Sequence, residues 1–337
     1  MRPPLRVGSL GITSALVGDR MRRRDLLIDG AALLVLMGFA AGQPSRQWRV
    51  AFVTSGNATP AVDWFRRALH SLGYKDNENL VLDVREARGD YSLLPEILRQ
   101  IVRLRPDVIV AAGSPAVAAA KNATSEIPIV MGNSTDPVGS GFVQSFAHPG
   151  DNITGVANMY SELAAKTLEL FHLALPNVKK IGVLLSDNPA QSPIFDAAVR
   201  GAEKLGITAE RFVAKTPNDL EAAFAAMKLA NCEAVYVLAD TVRPTIPQLA
   251  LQFALPAIYQ VDQFVDIGGL MSYGPEAAAM YFRAADYVDR IIKGGNPADM
   301  PVEQPTTFRL LLNLRTAKAL GLAIPESVLV QADKVME

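Results

Sequence analysis

One arrangement of short apolar segments occurs twice along this chain of 337 residues. Four segments from the first 130 residues return in the same order after residue 180, at offsets of 126 to 133 residues. The run 50–55 matches 181–186, for example, and the run 127–130 matches 255–258. A repeat of this length and constancy predicts two similar lobes, each with its own core, and a cleft between them.

Each copy alternates short strand-like runs with amphipathic helical stretches. The strand-like runs are rich in β-branched residues and apolar on both faces, which is typical of a parallel sheet covered by helices. The first copy predicts strands at 49–54, 80–86, 107–112 and 127–131, and helices at 60–72, 92–103 and 115–123. This order predicts an α/β fold with two similar doubly wound parallel-sheet lobes.

The segments after residue 270 have no counterpart in a simple tandem repeat. A strand at 270–274, a helix at 276–293 and a strand at 306–314 are predicted there. A chain that crosses back between the lobes explains them and predicts a multi-strand hinge beside the central cleft. We therefore divide the chain into lobe one, 48–157 plus about 274–300, and lobe two, 158–273 plus about 304–337.

The first 42 residues predict an export signal. Three arginines follow Met21, which we take as the start, and precede the apolar run 31–41 and a few small residues. This is the layout of a secretory signal peptide, and the run is far shorter than the roughly 20 apolar residues that span a bilayer. The arginines resemble the twin-arginine pattern, from which Asp25 and Asp29 depart. Cleavage after Gly42 predicts a periplasmic protein, with the export route left open.

The sequence offers no motif for catalysis, metal binding or nucleotide binding. The histidines His70, His148 and His172 lack metal-ligand spacing, and there is no Gly-x-Ser-x-Gly, Walker or Gly-x-Gly-x-x-Gly motif. The single cysteine, Cys232, permits no internal disulfide. A net charge of −1 provides no basic surface for nucleic acid. We therefore expect a monomeric binding protein that is not an enzyme and uses no cofactor, metal or nucleic acid.

Polar residues are concentrated where the predicted strands end. In open α/β sheets, ligands bind at the carboxyl ends of the strands, so these residues are expected to face one cleft. Turn and cap preferences explain any one of them equally well, but explain the whole set less well. The candidates in lobe one are Ser55, Gly56, Gly113, Ser114, Pro115, Asn133, Ser134, Thr135 and Asp136. Those in lobe two are Asn188, Asp240, Tyr259, Asp262 and Tyr273.

The charges of these candidates indicate a ligand with two oppositely charged groups. Ser114 suits a helix N-cap and Pro115 suits the first helical position, so the free N–H groups of that helix would bind a carboxylate. On the other lobe, Asp240 and Asp262 are placed to meet a cation. An amino acid would satisfy both lobes and draw them together.

Three aromatic residues are candidates for packing against the ligand. Trp64 lies early in the first predicted helix, close to the strand-end loops, and is the best candidate in lobe one. Tyr259 ends a predicted strand, and Tyr273 ends the later strand at 270–274. Both tyrosines are explained at least as well by a place in the core.

Eight sequence blocks carry a family resemblance, namely 105–110, 127–130, 136–141, 149–155, 255–259, 268–274, 301–306 and 313–321. Through them, residues 48–337 resemble the ABC-transporter substrate-binding proteins of the tryptophan/tyrosine-type family. The resemblance implies a type I periplasmic-binding fold that holds an aromatic or branched amino acid, or a related small organic compound, in its cleft. It also implies an ABC permease and its ATPase as partners, and ligand contacts from the strand-end loops named above.

One block departs from the family pattern. Residues 242–247, Val-Arg-Pro-Thr-Ile-Pro, stand where an aromatic-rich stretch is usual, so the resemblance carries over the fold more securely than the ligand.

The predicted function is the periplasmic solute-binding component of an ABC importer, which captures an amino acid or related carboxylate between two lobes. The alternative is a soluble ligand-sensing protein that uses the same cleft to feed a signalling receptor.

Overall fold

A computed structural model of the protein describes residues 46–239 and 243–337. The predicted export signal at 1–42 and the candidate Asp240 lie outside the described residues. In the part of the chain that is described, every helix is too short or too polar to cross a membrane.

The first lobe is a five-stranded parallel sheet with the order β2-β1-β3-β4-β5. Its strands are β1 (Trp48–Thr54), β2 (Leu80–Glu86), β3 (Val108–Ala112), β4 (Ile129–Ser134) and β5 (Ile153–Ala157). The helices that connect them are α1 (Ala61–Ser71), α2 (Leu94–Arg103) and α3 (Ser114–Ala123). The strand β5 is an element that the sequence analysis did not predict.

Helices cover both faces of this sheet. Alternate residues of β1 point to opposite sides. Phe52 packs against Phe65 of α1, with ring centroids 5.4 Å apart, whereas Val53 belongs to the separate cluster that includes Leu98 of α2. All five residues of β3 are buried, as expected for a central parallel strand covered on both faces.

The second lobe is a seven-stranded sheet with the order β12-β11-β10-β9-β8-β6-β7. Its strands are β6 (Lys180–Leu185), β7 (Thr208–Val213), β8 (Ala234–Val237), β9 (Ala257–Tyr259), β10 (Met271–Pro275), β11 (Phe308–Asn313) and β12 (Lys334–Met336). Its helices are α4 (Tyr160–Ala174), α5 (Ser192–Lys204), α6 (Leu220–Leu229), α7 (Thr245–Gln252), α8 (Gln263–Asp266), α10 (Leu314–Ala319) and α11 (Glu326–Leu329). The pair β10–β11 is antiparallel, so the sheet is mixed at this edge.

The chain passes between the two sheets three times. It leaves β5 for α4, leaves β10 for α9 (Ala277–Ile292), which packs on α1 and β4 of the first lobe, and finally returns to β11. The last passage is tied to the first lobe, because the Glu303 N–H donates to Gly155 O at 3.0 Å. Arg283 of α9 also binds the Glu303 carboxylate. The two-lobed α/β fold is thus confirmed, while the residue boundaries chosen for the lobes stay a prediction.

Candidate ligand-binding cleft

The carboxyl ends of β1, β3 and β4 face those of β6, β8 and β9 across a cleft between the lobes. About 780 Å³ of volume not filled by protein lies in this cleft, its open mouth included. Eight of the residues predicted from the sequence line the cleft, namely Ser55, Gly56, Gly113, Ser114, Pro115, Asn133, Thr135 and Asn188.

Two polar candidates, one at the end of β4 and one in the turn after it, do not line the cleft. Side chains along a strand alternate in direction, so Ser134 points away from the side that Asn133 and Thr135 occupy. Ser134 is fully buried, with its hydroxyl 3.4 Å from Ser114 Oγ. Asp136 is exposed, and its Oδ1 accepts from the N–H of Gly139 at 2.9 Å, which closes the turn after the strand.

The three aromatic candidates also lie away from the cleft wall. Trp64 lies behind Tyr281, and Tyr281 lines the cleft; their ring centroids are 6.2 Å apart. Tyr259 is fully buried in the second lobe and stacks on Phe264 at 4.6 Å. Tyr273 packs on a phenylalanine of β11 at 6.4 Å. These three rings therefore pack within the lobes, and Tyr281 of α9 lines the cleft instead.

The start of α3 differs by one residue from the prediction. Gly113 is the N-cap, and Ser114 is the first helical residue. Gly113 has a φ of +91°, and a Cβ atom there would lie 2.4 Å from Ser55 Oγ, so this position requires glycine. The Ser114 hydroxyl accepts from the N–H of Thr135 at 3.0 Å and holds two cleft loops together. In the first turn of α3, the N–H groups of Ser114 and Ala116 lack partners within the helix and favour an anion, whereas Pro115 has no N–H group.

Asn158 is a cleft residue that the sequence analysis missed. Its Nδ2 donates to Asn133 Oδ1 at 2.6 Å and to Thr135 Oγ1 at 3.1 Å, and its backbone N–H donates to Ser134 O at 2.8 Å. It follows β5, so the rule of polar residues at strand ends would have found it if that strand had been recognised. Other lining residues that were not predicted include Asn57, Tyr160, Gln263 and Tyr281.

Asp262 lies beside the cleft wall rather than on it. Its neighbours Val261 and Gln263 line the cleft, and its own Oδ1 is buried with no hydrogen-bond partner among the described residues. Burial raises the pKa of this carboxyl to about 6, although the backbone N–H groups of Gln263 and Ala277 act in the opposite direction. Asp262 therefore stays ionised above neutral pH only at a cost, which a nearby cation would offset.

The cleft wall itself is neutral. The described residues that line it include hydroxyl, amide and tyrosine side chains but no Asp, Glu, Lys, Arg or His. No group of three or more potential metal ligands is found among the described residues. Neutral hydrogen-bond donors at the start of α3, with one buried carboxylate nearby, suit an organic ligand better than a highly charged one.

Comparisons with known proteins give one consistent family. The family described as "ABC transporter substrate binding protein" matches residues 50–336. Among curated proteins, the tyrosine-binding protein of Clostridioides difficile (strain R20291) is 29% identical over 263 residues. That alignment covers 77% of this chain and 75% of the relative.

Two solved structures have nearly the same fold. A conserved domain protein from Vibrio cholerae is 30% identical to this chain, with a TM-score of 0.80. The ABC domain from Streptococcus pneumoniae in complex with L-Trp is 28% identical, with a TM-score of 0.79. Each comparison covers 86% of this chain and 100% of the other.

Proposed function

Because the chain belongs to the family of ABC transporter substrate-binding proteins, we propose that it captures an aromatic amino acid between its lobes and delivers it to a membrane permease with an ATPase. The observation that supports the ligand class is a neutral, polar cleft wall with a helix start in lobe one and, next to the wall in lobe two, the buried Asp262 carboxylate. The named ligands of two relatives, tyrosine and L-Trp, support the same class.

The ligand carboxylate is assigned to the start of α3. No lysine or arginine lines the described part of the cleft, so neutral groups must bind the anion. The first-turn N–H groups of α3 supply fixed donors, and the hydroxyls of Ser55 and Thr135 lie on the same wall. The helix dipole contributes about 0.3–1 kcal/mol to binding an anion at such a position, up to about 2 kcal/mol where it is partly buried.

The ligand ammonium is assigned to Asp262. The Asp262 carboxylate belongs to the second lobe. A ligand that extends to it from the start of α3 must therefore bridge the cleft and favour closure of the lobes. The other acidic candidate, Asp240, lies outside the described residues and is the alternative anchor.

The ligand side chain is assigned to Tyr281. This ring is 7% exposed, lines the cleft, and is backed by Trp64 and by Phe52, whose ring centroid is 6.1 Å away. A Cβ atom at Gly132 would lie 3.0 Å from Tyr281 Cε1, so glycine there leaves room for the ring. A supported aromatic face of this kind suits an offset or edge-to-face contact with an aromatic ligand.

Thermal-shift measurements test the ligand class directly. A ligand at 100 times its Kd stabilises the folded protein by about 2.7 kcal/mol, which gives a clear rise in Tm. We expect L-tryptophan, L-tyrosine or L-phenylalanine to raise the Tm of the protein, with glucose as the matched negative control. A rise with sugars and none with amino acids would refute the proposal.

Replacing Tyr281 with leucine tests the aromatic contact. We expect affinity for L-tryptophan to fall about threefold to tenfold, since an aromatic pair contributes roughly 0.5–1.5 kcal/mol beyond buried area. Isothermal titration measures the change. Phe282→Leu is the control, because Phe282 neighbours Tyr281 on α9 and is 41% exposed. Equal affinity in the Tyr281 and Phe282 variants would remove Tyr281 from the ligand site.

The periplasm is the proposed place of action. The family typically works there with its permease and ATPase, and the sequence of residues 1–42 has the layout of an export signal.

A further inference from the structure

Two buried glutamines hold one residue of the cleft wall in the second lobe. Gln191 and Gln260 are each 1% exposed. The Gln191 Nε2 donates to Ala239 O at 3.1 Å, and Gln260 Oε1 accepts from Ala239 N at 2.8 Å. Ala239 lies two residues beyond the end of β8 and lines the cleft. Side chains, rather than a neighbouring strand, therefore satisfy both backbone groups of this residue.

The same glutamines extend a chain of hydrogen bonds beneath the wall. Gln191 Oε1 accepts from the N–H of Ser186 at 2.7 Å and from its hydroxyl at 3.1 Å. Ser186 Oγ in turn accepts from the N–H of Asn188 at 3.2 Å. At the other end, Gln260 Nε2 donates to Tyr160 O at 3.0 Å. The chain thus joins the end of β6, the segment after β8, the end of β9 and the start of α4.

The residue type at these two positions follows from what the backbone needs. Beyond the last ladder bond of a strand, buried N–H and C=O groups must find other partners or carry a desolvation cost. An amide side chain offers a donor and an acceptor together, so each glutamine can satisfy two elements at once. Apolar residues of equal size at both positions would leave the N–H and the C=O of Ala239 without these partners.

We propose that Gln191 and Gln260 are positioning residues, which fix the lobe-two wall of the cleft in its ligand-binding shape before the ligand arrives. Asn188, Ala239 and Tyr160 all line the cleft, and each is one or two hydrogen bonds from these glutamines. This inference rests on the proposed function, because it takes the cleft as the ligand site. Because both glutamines act on Ala239, their effects on binding are coupled rather than independent.

Glutamate substitutions remove one bond from each glutamine. Gln191→Glu keeps the acceptor for Ser186 but cannot donate to Ala239 O, and Gln260→Glu keeps the acceptor for Ala239 N but cannot donate to Tyr160 O. Asn313→Asp is the control, since it makes the same amide-to-carboxylate change at a buried position near α8, where Nδ2 donates to Val265 O at 3.4 Å. L-tryptophan and L-tyrosine are the titrated probes, and the Tm of each ligand-free variant is recorded alongside.

We expect each glutamate variant to bind its amino acid about tenfold more weakly than the original protein does. The fold-loss of affinity in the double variant is expected to be smaller than the product of the two single losses. The control variant keeps its affinity even where its Tm falls. Unchanged affinity in both glutamine variants, or an equal loss in Asn313→Asp, would overturn the inference.

A second measurement separates this inference from the ligand assignment. Hydrogen exchange of the Ala239 amide, followed without ligand, is expected to rise at least tenfold in Gln260→Met, which removes the acceptor for that N–H, and to stay unchanged in Asn313→Asp. If the original protein binds no aromatic amino acid, the proposed function fails, whereas faster exchange would still support the role of the glutamines. Unchanged exchange would refute that role whatever the ligand.

Discussion

Replacing Asp262 with asparagine is expected to weaken binding of an aromatic amino acid by about 100-fold or more at pH 7.5. A buried charge that loses its partner costs roughly 3–5 kcal/mol, and each 1.4 kcal/mol is about tenfold in affinity. Asp262 Oδ1 has no hydrogen-bond partner within the described chain, and the ammonium of the ligand would supply one. Isothermal titration measures the loss.

The same substitution is expected to stabilise the ligand-free protein. Burial raises the pKa of Asp262 to about 6, so the folded state binds a proton more tightly than the unfolded state does. The free energy of unfolding contributed by this group therefore rises as the pH falls from about 7 to about 4. Asp262→Asn should remove this dependence and add up to about 3 kcal/mol of stability above pH 7. Denaturant unfolding between pH 4 and pH 8 measures both effects.

Asp266→Asn is the matched control for both measurements. Asp266 lies on α8, one turn from Asp262, and is exposed in an ion pair with Lys334 at 2.8 Å. It should change neither affinity nor the pH dependence of stability by much, because exposed ion pairs contribute about 0–1 kcal/mol. Unchanged affinity in Asp262→Asn would contradict its assignment to the ammonium, and an unchanged pH dependence of stability would contradict its raised pKa.

Replacing Gly274 with alanine is expected to lower the free energy of unfolding by about 3 kcal/mol or more. A Cβ atom at this position would lie 2.1 Å from the backbone oxygen of Gln260. Backbone atoms cannot move aside as a flexible side chain can, so β10 would have to separate from the segment after β9. Because Gln260 also holds Ala239, binding should weaken together with stability.

Gly206→Ala is the control for the glycine substitution. A Cβ atom there meets nothing within 4 Å, so the only cost is that of a left-handed backbone at φ +67°, about 1–2 kcal/mol. Urea unfolding of both variants gives the comparison. Equal losses of stability at the two positions would show that the close approach of Gly274 to Gln260 is not a constraint.

The two-lobed α/β fold could be predicted because its signals are local in the sequence. Apolar runs such as Val108–Ala112 are buried on both faces, and the stretches between them have helical periodicity. Both signals depend on neighbouring residues alone. The same holds for Ser55 and Gly113, which follow strands directly and therefore reach the carboxyl edge of the sheet.

The choice of side chains at that edge needed the tertiary structure. Asn133 faces the cleft and Ser134 does not, because the direction of each side chain depends on how the strand is set in the sheet. Asn158 was missed for a related reason, since β5 was not recognised and its end was not searched.

Two features of the cleft depend on contacts between distant parts of the sequence, namely the Tyr281 ring on its wall and the hydrogen bonds of Gln191 and Gln260 beneath it. Tyr281 lies in front of Trp64 because α9 returns from the second sheet to pack on α1. Gln191 and Gln260 meet at Ala239 from separate elements. A sequence pattern records how a segment alternates between polar and apolar residues, but not which remote segment will supply its partners. The sequence by itself therefore determined the lobes and the edge where the cleft forms, whereas the packing of remote elements decided which side chains form its wall.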